Sequence, residues 1–371
     1  MSNSIVADVV LGLQHGDEGK GKVTHHLLKF GEYNYCLRFN GGGNAGHTIY
    51  HNGKKYVTHY IPSGVFHGIK SIIGPGCVVN LEKLEKEIQE LEAGGIAGIR
   101  RYLFIDKRAH ITLNGHISED ADDSDKNWGN ARIGTTKSGN GPTYRDKYGR
   151  RGQRLIDWIN NVKKQMPIFS EEGRNQFALR IDTLESMLID VYEEFHNGKL
   201  NTILCEGAQG FELDIDWGDY PYVTSSHCGI GSAVLNGIPP KSIRNVYGVI
   251  KAYETYVGAK AFQNSDLLCE KFQEFGEEVG ATTGRVRQTN YLHMPRLQRA
   301  IKMNDITTLI VNKCDIFEKA CLSTGPNQFP WRNEHYIKYE SSFEMWKIKI
   351  QNLAFGLGVP KVFFSSSPHE I

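Results

Sequence analysis

The chain has 371 residues, of which 40% are hydrophobic and 23% charged, and its formal net charge is +1. That composition is ordinary for a globular enzyme. The near-zero charge removes the case for a nucleic-acid or membrane-surface partner, so any basic site must be local. No apolar run is long enough to span a bilayer, and no signal-like segment opens the chain. Seven cysteines are scattered without a C-x-x-C pair, which favours buried, reduced thiols and a cytoplasmic setting. No repeat or linker divides the sequence, so residues 1–371 are expected to form a single unit.

Ile5 to Leu11 is an apolar run that reads as a buried strand. Gly12 to Lys22 follows, and a helical pattern begins at Val23. Strand, glycine-rich turn and helix together form a phosphate cradle, with inward backbone N–H groups and the positive end of the helix dipole. Gly16, Gly19 and Gly21 permit close approach, and Lys20 and Lys22 add charge. The spacing Gly16-x-x-x-x-Gly21-Lys22 matches a P-loop except that Val23 stands where Ser or Thr would hold a metal. Asp17 and Glu18 are unexpected beside phosphate. Asp17 therefore reads as a metal ligand, a general base, or both. The plain alternative, a turn with solvated charges, lacks a reason for the flanking strand and helix.

A second strand, Tyr33 to Arg38, runs into a glycine-rich loop ending Asn44-Ala45-Gly46-His47. Small neighbours leave His47 open either to donate to an anionic oxygen or to serve as a structural histidine. Residues 71–80 read as a strand interrupted by Gly-Pro-Gly. Residues 81–93 read as an amphipathic helix with Leu81, Leu84, Ile88 and Leu91 on one face. Short strands are expected at 102–105 and 110–113, and an exposed acidic loop at 118–127. The hydroxyl-rich stretch 133–144, with Thr136, precedes Arg150 and Arg151. It suits a second anion, although by its residues alone a solvated basic loop is the simpler reading.

Helices are expected at 155–162 and 171–195. A strand at 202–204 leads to Glu206-Gly207-Ala208-Gln209-Gly210, where Gln209 can read a base edge. Asp214, Asp216 and Asp219 fit turn chemistry better than a metal cluster. Residues 246–257 read as one strand, and 262–278 as polar helix and loop. Thr282-Thr283-Gly284-Arg285-Val286-Arg287 offers an arginine fork for a carboxylate or phosphate. The strand 307–311 ends in Asn312-Lys313-Cys314-Asp315, a guanine-reading pattern in which Asp accepts from the base and Lys covers it. The last strand, 361–364, ends in Ser365-Ser366-Ser367-Pro368. The alternation implies an α/β, P-loop-like fold with a central, mainly parallel sheet flanked by helices and ligands at its C-terminal edge.

Seven ordered segments, GDEGKGK (16–22), GNAGHT (43–48), GTT and GPTY (134–144), EGAQG (206–210), DYPYVTSS (219–226), GATTGR (280–285) and NKCD (312–315), resemble the adenylosuccinate synthetase family over nearly the whole chain. The resemblance implies transfer of the GTP γ-phosphoryl group to O6 of IMP, followed by displacement by the aspartate amine. It implies catalytic roles for Asp17, His47, Lys20 and Gln209. Asp17 would be the base for purine N1 and, with the Gly46 carbonyl, would hold one Mg²⁺ per subunit. The triphosphate would lie on Gly16, Glu18, Gly19, Lys20, Gly21 and Lys22, with its base at Lys313, Asp315, Ser366 and Pro368. Asn44, Thr136, Gln209, Thr224 and Val257 would take the purine monophosphate, and Arg150 would reach it across a homodimer interface. Thr282, Thr283, Arg285 and Arg287 would clamp L-aspartate.

The chain departs from the family pattern at several points. His15 replaces a Trp, Lys137-Ser138 stands for Gly-Arg, and Tyr256 replaces an Arg. The last loop is Ser-Ser-Ser-Pro, and Ser323-Thr324-Gly325-Pro326 is too early to be it. The length resembles a compact archaeal or viral member. Viral relatives that join aspartate to dGMP, with ATP or GTP, carry Ser at the position of Asp17; the Asp favours IMP. A GTP-binding regulatory module would have no use for the arginine fork.

Overall fold

The structure, a computed structural model, describes residues 5–123, 127–128, 131–165, 181–263, 265–280, 284–324 and 343–371. Its centre is a nine-stranded sheet. In chain order the strands are β1 (Ile5–Gly12), β2 (Tyr35–Arg38), β3 (Lys70–Ile73), β4 (Leu103–Asp106), β5 (Leu188–Ile189), β6 (Asn201–Glu206), β7 (Ile243–Lys251), β8 (Thr308–Asn312) and β9 (Lys361–Phe364). Their spatial order is β5-β4-β3-β2-β6-β1-β7-β8-β9. Every neighbouring pair is parallel. The expected sheet is thus present, with β1 between β6 and β7.

The continuous apolar character of β1 follows from burial on both faces. Val9 and Leu11 belong to one large core, while Val10 belongs to another with Val23 and Leu28 of α1 (Lys20–Phe30). Parallel pairing places the C-terminal ends of β1, β2, β6, β7, β8 and β9 along one edge, and the glycine-rich loops leave from it. Amide side chains fasten those loops together. Asn40 exchanges hydrogen bonds with the backbone of Ala208, and Gln14 does so with Lys251. Asn312 Nδ2 donates to the Glu18 carbonyl at 2.6 Å.

Three expectations are corrected. The exposed loop expected at 118–127 falls partly outside the described residues, and its first part is helical: α2 spans Asn114–Asp123, and Asp120 is buried, accepting from the Gly139 amide at 2.8 Å. The helix expected at 171–195 falls partly outside the described residues. Within them it is interrupted by β5 before a short helix, Val191–Phe195, capped by Asp190. The single strand expected at 246–257 breaks after Lys251 and resumes as Glu254–Tyr256, which pairs with Gln288–Asn290. Buried polar ends, Lys251 and Glu254, override the apolar run there. All seven cysteines are buried and free, as expected. Among the described residues no helix is long and apolar enough to cross a membrane.

Candidate active site

The loop between β1 and α1 is built around an internal ion pair. Glu18 is 1% exposed, and its Oε1 accepts from the amides of Gln14 at 3.0 Å and Gly16 at 2.9 Å. Its Oε2 pairs with Lys20 Nζ at 2.6 Å. A Cβ on Gly12 would stand 2.4 Å from Glu18 Oε2, so glycine is required there for the carboxylate to tuck under the loop. The Glu18 and Lys20 side chains are therefore committed inside the cradle. Lys22 leaves the cradle altogether. Its Nζ donates to Ser365 Oγ at 2.6 Å, Ser367 O at 3.0 Å and Glu370 O at 3.2 Å. Burial pushes its ammonium down to about 8.

Asp17, by contrast, lines a cleft of about 980 Å³ together with Gly16, Gly46 and His47. Its Oδ2 lies 2.5 Å from Lys251 Nζ and 2.9 Å from Arg287 Nη1. Both cations are shared with Glu278, at 2.8 Å each, and Tyr253 donates to the same carboxylate at 2.5 Å. Burial raises the Glu278 carboxyl, but Lys251 and Arg287 outweigh it and hold it at about 2. Lys251 and Glu278 were not recognised from sequence. A charge ending an apolar strand is the signal that marks Lys251.

His47 opens the hairpin His47–His51/Lys54–Thr58 and packs against α1, where a Cβ on Gly21 would stand 2.7 Å from its own Cβ. Its Nδ1 lies 2.5 Å from Glu206 Oε1, which also accepts from Arg38 Nη2 at 3.1 Å. Burial, then Arg38, pushes the imidazole down to about 4, so the histidine of the free protein is neutral at pH 7. Burial pushes the Glu206 carboxyl up, yet Arg38 and His47 outweigh it and hold it at about 2.

A third group of side chains meets at Asn44. Its Oδ1 accepts from Gln209 Nε2 at 2.9 Å and Asn140 Nδ2 at 2.6 Å, and its Nδ2 donates to Thr224 Oγ1 at 3.3 Å. Gln209 holds a left-handed φ of 56°, and its Oε1 is buried without a hydrogen-bond partner. That atom is unsatisfied at the cleft wall, where Thr136 and Val257 also lie. Asn140 was missed because nothing separates it from an ordinary helix-start residue.

Arg287 lines the same cleft, and the Arg285 guanidinium lies 3.5 Å from where a Gly134 Cβ would be, beside the cleft-lining loop. Thr282 and Thr283 lie outside the described residues. Lys313, at φ 62°, and Asp315 follow β8, and Ser366 and Pro368 follow β9; the Cys314 amide joins the two loops by donating to Ser365 O at 3.1 Å. These four do not line the cleft, and neither does Arg150, which is exposed past the end of α3 (Asn140–Tyr148). Asp214 accepts from the amides of Asp216, Trp217 and Cys228, which is the turn chemistry expected of the acidic trio. His15 and Tyr256 touch each other, with ring centroids 5.5 Å apart, so these two departures from the family pattern form one local change.

The sequence model of the family described as adenylosuccinate synthetase matches residues 9–321. The chain belongs to the adenylosuccinate synthetase family. It is 41% identical over 339 residues to adenylosuccinate synthetase of Cytophaga hutchinsonii, covering 84% of this chain and 78% of the relative. It is 39% identical over 377 residues to that of Bacteroides fragilis, covering 93% and 86%. The solved structure of fully ligated adenylosuccinate synthetase from Plasmodium falciparum superposes with a TM-score of 0.79 at 29% identity, over 97% of each chain. Cyanophage S-2L succinoaminodeoxyadenylate synthetase, bound to dGMP and dATP, shares the fold with a TM-score of 0.70 at 19% identity, over 98% of this chain and 93% of that one. The family resemblance carried by the seven motifs is borne out, and with it an enzyme of the ligase class in purine biosynthesis.

Proposed function

We propose that this enzyme joins L-aspartate to IMP, using GTP and passing through a 6-phosphoryl intermediate, as a cytoplasmic homodimer. The observation that carries the proposal is that Asp17 and His47 line one cleft with the Asn44, Gln209 and Thr224 cluster. Asp17 takes the purine N1 proton. The negative charge moves to O6, which attacks the γ-phosphorus and releases GDP. His47 hydrogen-bonds the transferred group, and the aspartate amine then displaces phosphate from C6. Gln209 Oε1, unsatisfied in the wall, is suited to accept from the nucleotide.

The donor set fits magnesium: the Asp17 carboxylate and the Gly46 carbonyl would be oxygen ligands, and both residues line one cleft. Among the described residues no group of three or more His, Cys, Asp or Glu could hold a metal by itself, so Asp17 and Gly46 would hold the ion together with oxygens from water or the nucleotide. When bound, the ion would supply positive charge to neutralise the phosphoryl group being transferred. Lys313, Asp315, Ser366 and Pro368 take the guanine, Arg285 and Arg287 take the aspartate carboxylates, and the partner's cleft receives Arg150.

Initial rates with IMP or dGMP, each with aspartate and either GTP or ATP, test the proposal. Phosphate release is expected only when IMP, aspartate and GTP are all present. Turnover of dGMP without turnover of IMP would overturn the substrate assignment. Release from GTP alone would overturn the ligase mechanism.

A further inference from the structure

We infer that Glu206 is a positioning residue for His47, fixing which imidazole nitrogen carries the proton and which faces the reaction. The inference rests on the role proposed above for His47. Glu206 ends β6, directly opposite Arg38 in the register of β2, and is 0% exposed. Both of its oxygens act as acceptors. Oε1 takes Arg38 Nη2 at 3.1 Å and lies 2.5 Å from His47 Nδ1. Oε2 takes the Ser63 amide at 2.7 Å and the Cys36 thiol at 3.5 Å.

A carboxylate oxygen between these donors can only accept, so Nδ1 carries the hydrogen. The Nε2 lone pair is then left to Arg38 Nη1, 3.4 Å away, or to whatever enters the cleft. This is the arrangement by which a buried carboxylate orients a catalytic imidazole without itself reacting. A merely structural Glu206 is already satisfied by Arg38, the Ser63 amide and Cys36; the 2.5 Å approach of His47 goes beyond that requirement.

The isosteric variant Glu206→Gln isolates the role. Its amide must place an NH₂ group on one side. The Ser63 amide is backbone and cannot turn away, whereas Arg38 Nη2, also 3.2 Å from His47 Nδ1, can donate to that nitrogen instead, so the NH₂ goes to the Oε1 side and faces His47 Nδ1. The imidazole must then give up its Nδ1 hydrogen and become the Nε2–H tautomer.

Nitrogen-15 spectra of histidine-labelled free protein are expected to show His47 as Nδ1–H in the wild type and Nε2–H in Glu206→Gln. In steady state, Glu206→Gln is expected to lower kcat by about 100-fold, with each substrate KM within about threefold. Glu206→Asp, which keeps two accepting oxygens, is expected to recover roughly tenfold of that loss. An Nε2–H wild-type His47, an unchanged tautomer in Glu206→Gln, or a kcat within about threefold of wild type would each overturn the inference. A loss spread equally over every KM would do the same. The spectra need no substrate. Absence of turnover with IMP would therefore count against the proposed function while leaving the Glu206 result to stand or fall separately.

Discussion

Asp17 Oδ2 faces two cations, Lys251 at 2.5 Å and Arg287 at 2.9 Å, so any proton or metal it takes must compete with both. Asp17→Asn removes the base but leaves Lys251 and Arg287 paired with Glu278, so the fold should persist. Turnover is expected to fall by at least about 1000-fold. The unfolding midpoint should move by no more than a few degrees. Retained turnover in a phosphate-release assay would remove Asp17 from the chemistry. Arg285 belongs to the neighbouring loop. Arg285→Leu is expected to raise the aspartate KM by more than about tenfold, with nucleotide KM values within about threefold. The reverse pattern in initial rates would reassign the arginine to a nucleotide. Asp17 was legible in the sequence because a carboxylate inside a phosphate loop is chemically odd. Its partner Lys251 was not, because the contact joins residues 234 positions apart, and Arg38 meets Glu206 across 168. Only the folded sheet brings such strand-end charges together.

At the level of elements, α1 follows the loop that holds Asp17, the hairpin opens with His47, and the two elements meet through a histidine cluster. His25 Nε2 lies 3.1 Å from His51 Nδ1, and the rings of His25 and His67 are 4.4 Å apart. Burial, then the neighbouring imidazoles, pushes His25 down to about 3 and His67 to about 4. In the unfolded chain both titrate near 6.5. Between pH 6.5 and about 4 the unfolded chain therefore binds more protons, and stability, full above 6.5, falls as the pH drops. The unfolding midpoint is expected to fall between pH 7 and pH 5, and the fall should shrink by a few degrees in His25→Asn. An identical slope in melting curves would show that the cluster does not set acid sensitivity. Lys22 makes a second link between elements. The sequence placed it on phosphate by spacing alone, yet its ammonium straps the loop after β9. Lys22→Met should therefore raise the KM for GTP with little change in the KM for IMP, as measured by initial rates. The β1–loop–α1 unit itself was legible from its strand, glycines and helix. The direction of Lys22 was not, because it depends on residues 343 or more positions away.

Across the whole molecule, the parallel sheet follows from strand–helix alternation, while the order of its strands becomes visible only in three dimensions. Arg150 does not line the cleft of its own chain. α3 presents Asn140 and Arg145 to the cleft, and Arg150 lies beyond the opposite end of the helix, exposed and at φ 57°. Ten residues of near-helical chain place it about 15 Å along from Asn140. If its partner is the nucleotide phosphate, the phosphate belongs to the other subunit of a twofold pair, because an isologous interface exchanges the same patch in both directions. Arg150→Leu should then raise the KM for IMP, and Asp17→Ala should be inactive. Subunit exchange between equal amounts of the two would make half the dimers mixed. Each mixed dimer holds one complete cleft, built from the Asp17 of the Arg150→Leu chain and the Arg150 of its partner. At low IMP the mixture should recover about a quarter of wild-type activity. Activity no greater than the mean of the two variants assayed separately would show that Arg150 does not act across an interface.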